Sequence, residues 1–300
     1  MSVKAGMMTK QKSGNKSPPT NYLFSYSVFT YSLLNIFQNI CTFVNYMQIA
    51  TIITDWENNF YPATLKARLL AAVPQLSIID ISHSIQSFNT LQAAFMLRHS
   101  YTHFPQGSIH LIGVNSEPSP TNKLIIVKAD GHFFVAPNDG LLSLALDTAP
   151  ETAIEMEIPR GSTGFKSLES FVRAVQVITT DTIETAGKEV ALQKSLLNRP
   201  TYDDKHISGQ IAYIDSFGNV ITNIDKQLFE TAYRGRRFEI YLQSNHNKLT
   251  KLSNYYDEVA SGELVALFNS LHLLEIAVYQ GNLAQLERLD TTSSVRIKFL

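Results

Sequence analysis

The sequence predicts an α/β fold in two unequal parts, a layered α/β domain on a largely parallel sheet and then a smaller β-rich domain. Three observations predict it. From Met47 to about Ala186 short apolar runs alternate with amphipathic stretches. Polar residues then gather between Gly187 and His206. Beyond them short apolar runs follow one another with few helical stretches between.

Residues 1–46 stand apart. Lys4, Lys10, Lys12 and Lys16 precede Pro18-Pro19, and the stretch from Tyr22 to Tyr46 is rich in Phe, Tyr, Leu and Ile. Ser, Thr, Asn and Gln interrupt that stretch too often for an easy membrane span. The expectation is an N-terminal tail, disordered or produced by a mis-assigned start, with Met47 the natural first residue; a signal or anchor is the competing reading. In the N-terminal domain, 47–190, strands are expected at 49–54, 76–81, 109–114, 124–129, 133–136 and 154–158. Helices are expected at 63–72, 91–104 and 168–179, where apolar residues recur at three- and four-residue spacing. Asn138-Asp139-Gly140 reads as a turn into a short helix at 141–145. Residues 191–206 form the linker. The C-terminal domain, 207–300, carries strands at 207–214, 238–242, 264–268, 273–278 and 295–299, with helices at 226–233 and 283–286.

A hydrophobic content of 44%, a charged content of 17% and a net charge of -1 describe an ordinary globular composition. They give no reason to expect nucleic acid or an anionic membrane as partner. The single cysteine, Cys41, excludes an internal disulfide framework and a cysteine-based zinc site, and points to the cytoplasm.

Asp55 follows the first strand, where an open α/β sheet binds its ligands, and its oxygens can accept from the vicinal hydroxyls of a ribose. A capping role is the equal alternative. Asp215, Phe217 and Asn219 offer a carboxylate, a stacking face and a carboxamide suited to a purine edge, although Asp-Ser-Phe-Gly-Asn is also good hairpin chemistry. Asn269-Ser270 forms a polar notch between two apolar strands. Residues 161–167 lack the spacing of a phosphate loop, and no G-x-G-x-x-G follows a strand. His99 and His103 lie four apart without the Glu of H-E-x-x-H, so exposed histidines and no metal site are expected. The absence of G-x-S-x-G disfavours an α/β-hydrolase with a serine nucleophile.

The run from Tyr213 through Asp215-Ser216-Phe217-Gly218-Asn219 to Val220-Ile221-Thr222-Asn223-Ile224 has companions along the chain. They are Thr54-Asp55, Tyr61 with Lys66, Ile79-Asp80-Ile81-Ser82-His83, Phe104-Pro105-Gln106-Gly107-Ser108-Ile109-His110 and Gly140-Leu141-Leu142-Ser143. Asn269-Ser270 followed by Glu275-Ile276-Ala277 completes the set. In this order and spacing the chain from Met47 to Leu300 resembles the S-adenosyl-L-methionine hydroxide adenosyltransferase family, which is similar to the fluorinating and chlorinating adenosyl enzymes. The resemblance implies a three-layer α/β domain with a largely parallel sheet and a smaller C-terminal β-barrel-like domain. It implies a homotrimer with sites at subunit interfaces, S-adenosyl-L-methionine as substrate and no cofactor. Water or hydroxide attacks the ribose C5′, releasing adenosine and methionine.

By motif, Asp55 would hold the ribose hydroxyls with Asn59 nearby, and Phe217 with Asn219 would hold adenine. Asp215 and Ser270 would meet the methionine part, and Asn269 is counted with them among the substrate-binding residues. The catalytic Asp, Arg and His of the family fall on Asn115, Asn122 and Lys166. Other departures are Trp56-Glu57 for Phe-Gly, Asn59 for an Asp, Leu168 for an Arg and His272 for a Gly. Asn115 and Asn122 can orient a water but cannot take its proton near neutral pH, which leaves Lys166, Glu117 and Glu169 as groups for that task. Two functions follow: hydrolysis of S-adenosyl-L-methionine, slow or lost, or non-catalytic binding of adenosine or S-adenosyl-L-methionine.

Overall fold

The run Ile49-Ala50-Thr51-Ile52-Ile53-Thr54 is buried from Ala50 onward and forms β1 (Ile49–Thr54), a strand covered on both faces. Its alternation divides the core, with Ile52 packing into one apolar layer and Ile53 into the other. The computed structural model describes residues 48–57, 59–157, 164–195, 199–243 and 248–300, so the expectations for residues 1–46 and for 161–163 lie outside the described residues.

α1 (Tyr61–Ala72) carries Pro62 in its first turn, where a missing N–H costs nothing, and buries Leu65 and Leu69. β2 (Ser77–Ser82) is the half-exposed edge strand beside β1. α2 (Thr90–Arg98) is capped by Asn89, whose side chain accepts from the Gln92 N–H. It stops at Arg98 instead of reaching residue 104. The Ser100 hydroxyl donates to the Met96 and Leu97 carbonyls, drawing acceptors away from a further turn, and Pro105 bars the continuation. His99 and His103 therefore share no helix face: His99 is half-buried against Phe95, and His103 is exposed on a separate 3-10 turn.

β3 (Ile109–Gly113), β4 (Leu124–Ala129) and β5 (His132–Pro137) follow, then α3 (Leu141–Ala145), β6 (Thr152–Met156), α4 (Ser167–Thr180) and β7 (Gly187–Glu189). The seven strands are ordered β2-β1-β3-β5-β4-β6-β7, parallel from β2 to β5 and antiparallel from β5 to β7. Leu65 and Leu69 of α1 and Phe171 and Val175 of α4 pack on one face, and Ala93 and Leu97 of α2 and Leu141 and Ala145 of α3 on the other. The result is helix, sheet, helix.

The second sheet is built from β8 (Thr201–Tyr202), β9 (His206–Ile214), β10 (Val220–Asp225), β11 (Phe238–Leu242), β12 (Lys248–Leu249), β13 (Leu264–Phe268), β14 (Leu273–Val278) and β15 (Ser294–Phe299). Its strands pair antiparallel in the order β12-β11-β15-β9-β10-β14-β13, with β8 on β9, and curl into a nearly closed barrel-like sheet. Ile207, Ile211, Val220, Leu274 and Ile297 fill it, and Phe229 of α5 (Lys226–Tyr233) and Leu283 of α6 (Leu283–Glu287) pack against them. β10 is absent from the expected strands because Thr222 and Asn223 interrupt its apolar run. Thr222 is nevertheless fully buried, its hydroxyl accepting from the Ile224 N–H. The polar stretch after Gly187 also holds two short strands: β7 extends the first sheet along β6, and β8 borders β9. The two parts meet where Phe95 of α2 stacks on Tyr213 of β9, ring centroids 5.1 Å apart and ring planes nearly parallel.

Candidate active site

Parallel pairing brings three strand ends together. Thr54 pairs with Gly113, and Leu111 pairs with Val135, so Asp55, Asn115 and Asp139 follow the carboxyl ends of three neighbouring strands, β1, β3 and β5. This is the edge at which open α/β sheets bind ligands. Asp55 Oδ2 accepts from the Phe88 N–H at 2.9 Å and the Asn115 N–H at 3.3 Å, while Oδ1 has no partner among the described residues. One carboxylate oxygen thus ties together the segments following β2 and β3. Asn115 adopts φ 49, a left-handed conformation that asparagine tolerates better than most residues. Its carbonyl accepts from Asn122 Nδ2 at 2.6 Å, and the same nitrogen donates to the Glu117 carbonyl at 3.2 Å, so the two asparagines are brought together. Gly113 makes room for this corner: a Cβ there would stand 2.8 Å from the Trp56 ring. Trp56 is buried against Phe165, Phe171 and Tyr61.

Lys166 precedes α4. Its backbone N–H donates to Glu117 Oε1, and the Ser167 N–H and hydroxyl donate to Glu117 Oε2. Glu117 therefore caps α4 at the positive end of the helix dipole. Glu169 lies 3.4 Å from Arg68 in an exposed ion pair. Both glutamates are exposed and hold structural partners. Asn59 accepts the Tyr61 N–H at 2.8 Å and donates to the Trp56 carbonyl, which secures the start of α1. Behind Asp55, Thr54 Oγ1 meets His83 Nδ1 at 2.8 Å, His83 Nε2 stands 3.2 Å from Asp80, and Asp80 accepts from Lys66 at 2.7 Å. Burial pushes the Asp80 carboxyl up, but Lys66 and His83 together hold it below the ordinary value.

The second cluster lies on the barrel-like sheet, in the turn between β9 and β10. Asp215 Oδ1 accepts the Phe217 and Asn219 N–H groups, both at 2.9 Å, and Oδ2 accepts from Asn219 Nδ2 at 3.1 Å. The Phe217 ring is 74% exposed. An exposed phenyl on a turn fixed by so many bonds is a preformed stacking face. It borders a surface cavity of about 520 Å³ walled also by Asp215, Asn219, Tyr256 and Gly281. Tyr256 donates to Glu275 Oε1, and Asn269 Nδ2 donates to Oε2 of the same carboxylate at 3.0 Å. Burial and that bond raise the Tyr256 hydroxyl pKa above its ordinary value. Asn269 Oδ1 accepts the Leu271 and Leu273 N–H groups, and Ser270 is exposed at the tip.

Sequence reasoning missed Tyr256, Asp139 and the role of Glu275. A buried glutamate inside an apolar strand was the available signal for the last, and none marked the other two. Among the described residues no group of three metal-ligating side chains is found. Glu57 (φ 49) and His272 (φ 58) hold left-handed backbone at two positions where the resemblance implies glycine. Such a conformation costs a residue with a Cβ about 1–2 kcal/mol.

The model for the SAM hydroxide adenosyltransferase N-terminal domain matches residues 50–187, and that for the C-terminal domain matches residues 209–296. The chain belongs to this family. Among its relatives, a protein named (R)-S-adenosyl-L-methionine hydrolase from Methanocaldococcus jannaschii is 25% identical over 84% of this chain and 96% of its own length. A protein of the same name from Thermus thermophilus is 26% identical over 79% of this chain and 94% of its own. The family fold recurs in crystal structures of an uncharacterized conserved protein from Thermotoga maritima (TM-score 0.70, 84% of this chain, all of that one) and a conserved hypothetical protein from Thermus thermophilus (TM-score 0.66, 85% of this chain, all of that one). Each is 23% identical to this chain.

Proposed function

We propose that the protein hydrolyses S-adenosyl-L-methionine to adenosine and methionine, at a site assembled from two copies of the chain within a homotrimer. The observation that supports the reading is that one chain carries two separate clusters suited to the parts of an adenosyl ligand. One is the carboxyl-edge row at Asp55 and Asn115, and the other is the exposed Phe217 face with Asn219 over its cavity. Membership of the family and the names of the two relatives support the reaction. Asp55 Oδ1 would take the ribose hydroxyls, the Phe217 ring would stack on adenine, and Ser270 with Asn269 would meet the methionine end. Asp215 would act there chiefly by shaping the turn, since its oxygens already accept three donors.

The sulfonium is a good leaving group, so the step needs an oriented water and in-line displacement more than an acid. No cofactor enters that chemistry. Lys166 would approach the reaction through its side chain, its backbone being committed to Glu117. Loss of general-base help costs on the order of 10² to 10⁴ in rate, so a slow hydrolase fits the carboxamides at 115 and 122. Those carboxamides also favour a second reading, a protein that binds adenosine or S-adenosyl-L-methionine without cleaving it. We further assign 47–190 and 207–300 as its two domains, with 191–206 between them, and place the protein in the cytoplasm. Among the described residues no helix is long and apolar enough to cross a membrane.

The test is incubation of the purified protein with S-adenosyl-L-methionine, following binding by calorimetry and adenosine by chromatography. Binding with adenosine release is expected. Binding without release selects the second reading, and neither binding nor release removes both.

A further inference from the structure

One buried oxygen beside the carboxyl edge has no partner among the described residues. Asp139 stands as far beyond Val135 of β5 as Asn115 stands beyond its pairing partner, Leu111 of β3. Asp139 Oδ1 accepts the Leu141 N–H at 3.1 Å, fixing the carboxylate against the first turn of α3. Oδ2 is buried, and no donor among the described residues meets it. Such an arrangement is costly unless another group completes it. Across the two strand ends stands Asn115, whose carboxamide acts on this carboxylate although it makes no hydrogen bond to Oδ2 here. Burial, the larger influence, pushes the Asp139 carboxyl pKa up, while the Leu141 N–H and Asn115 favour its ionised form.

A carboxamide has a donor end and an acceptor end, and a water about to act as nucleophile is best held by acceptors for its two hydrogens. Asn122 has its amino group committed to the Asn115 and Glu117 carbonyls, so its oxygen is the end left over. The Asn115 side chain has no such backbone anchor. The group opposite it at the neighbouring strand end is Asp139.

We propose that Asp139 is a positioning residue for the hydrolysis: its carboxylate draws the amino end of Asn115 and thereby turns the Asn115 oxygen towards the attacking water, where it acts together with the Asn122 oxygen. The proposal rests on the reading of the protein as a hydrolase. In the step, a lone pair of that water forms the O–C5′ bond. The C5′–S bond breaks, its electron pair neutralises the sulfonium, and methionine departs as a thioether. The protonated 5′-oxygen then gives one proton to solvent, leaving the 5′-hydroxyl of adenosine.

The test is the exchange of charge across the contact. Asp139→Asn keeps the size and removes the charge. It is expected to lower kcat by about 10- to 100-fold, with KM for S-adenosyl-L-methionine within about threefold, as for a misoriented reacting group. Because Asn115→Asp by itself supplies the aspartate of the family at 115, Asp139→Asn is read in both backgrounds: with a carboxylate already at 115 it is expected to raise kcat about tenfold over Asn115→Asp alone, since it removes a like charge from the contact. A merely structural Asp139 predicts the same loss in both backgrounds, and thermal unfolding of each variant shows whether the fold is intact. Unchanged kcat in Asp139→Asn, or a loss of the same size in both backgrounds, overturns the proposal while leaving the hydrolase reading in place. An unmodified protein that releases no adenosine overturns both.

Discussion

His110 is the residue whose chemistry the fold constrains most. It is fully buried, with Nδ1 2.7 Å from Thr51 Oγ1 and Nε2 3.2 Å from His132 Nδ1. Burial, then the neighbouring His132, hold its pKa down to about 3, and burial also lowers that of His132 against the pull of Asp130. Tyr101 packs on both rings and donates to Asp130; burial and that bond push its hydroxyl pKa up to about 12. The sign of the pH dependence follows. The unfolded chain takes protons at these imidazoles near pH 6.5 and the folded chain does not, so their contribution is full above that pH and is lost as pH falls towards 3. From pH 7 to pH 5 His110 alone is expected to remove about 2 kcal/mol of stability. Urea unfolding at the two pH values measures it, and equal midpoints after correction for surface carboxylates would contradict the account. The sequence sets His110 within an apolar run, unlike His103, but the burial of His110 and His132 against each other is decided by strands β1, β3 and β5 lying side by side.

At the scale of elements, the turn between β9 and β10 shows how local sequence and tertiary packing share one task. Asp-Ser-Phe-Gly-Asn is legible as a turn, and Gly218 takes φ 82 as such a turn requires. The close packing behind it is not legible: a Cβ on Gly218 would lie 2.0 Å from Asn282 Oδ1, the cap of α6, and the Gly218 carbonyl accepts the Ala284 N–H. Gly218→Ala is therefore expected to cost at least about 2 kcal/mol from backbone strain and overpacking together. It should also weaken adenosine binding by displacing Phe217. Chemical denaturation and calorimetry check the two effects, and a variant matching the parent in both would show that the turn yields freely. The same division runs through the helices. α4 and α5 follow their apolar spacing closely, whereas α2 ends early because Ser100 and Pro105 act on backbone acceptors and geometry that periodicity does not register.

For the whole molecule, the two half-sites make a prediction that neither makes alone. If the site forms between copies, Asp55→Ala damages the half supplied by the first sheet and Phe217→Ala the half supplied by the second. Each variant is expected to be impaired by itself. Co-expressed, they should regain activity, because some mixed oligomers pair an intact first half with an intact second half. Adenosine release by mixed and separate preparations measures it, and sedimentation gives the oligomer size. No regain in a mixed oligomer would place the whole site within one chain.

The sequence by itself determined most of the strand and helix order, with β7, β8, β10 and β12 the exceptions, the order and spacing of motifs that mark the family, and the identity of the chemical groups. Those features are local in the chain, set by spacing and residue type. Only the tertiary structure decided which groups meet. Parallel pairing aligned Asp55, Asn115 and Asp139 from three separate strands, and a folded-back loop set Glu117 on the start of α4. Burial made Oδ2 of Asp139 an oxygen without a partner among the described residues. Proximity across strands and loss of solvent depend on the whole packed arrangement, so no stretch of sequence states them.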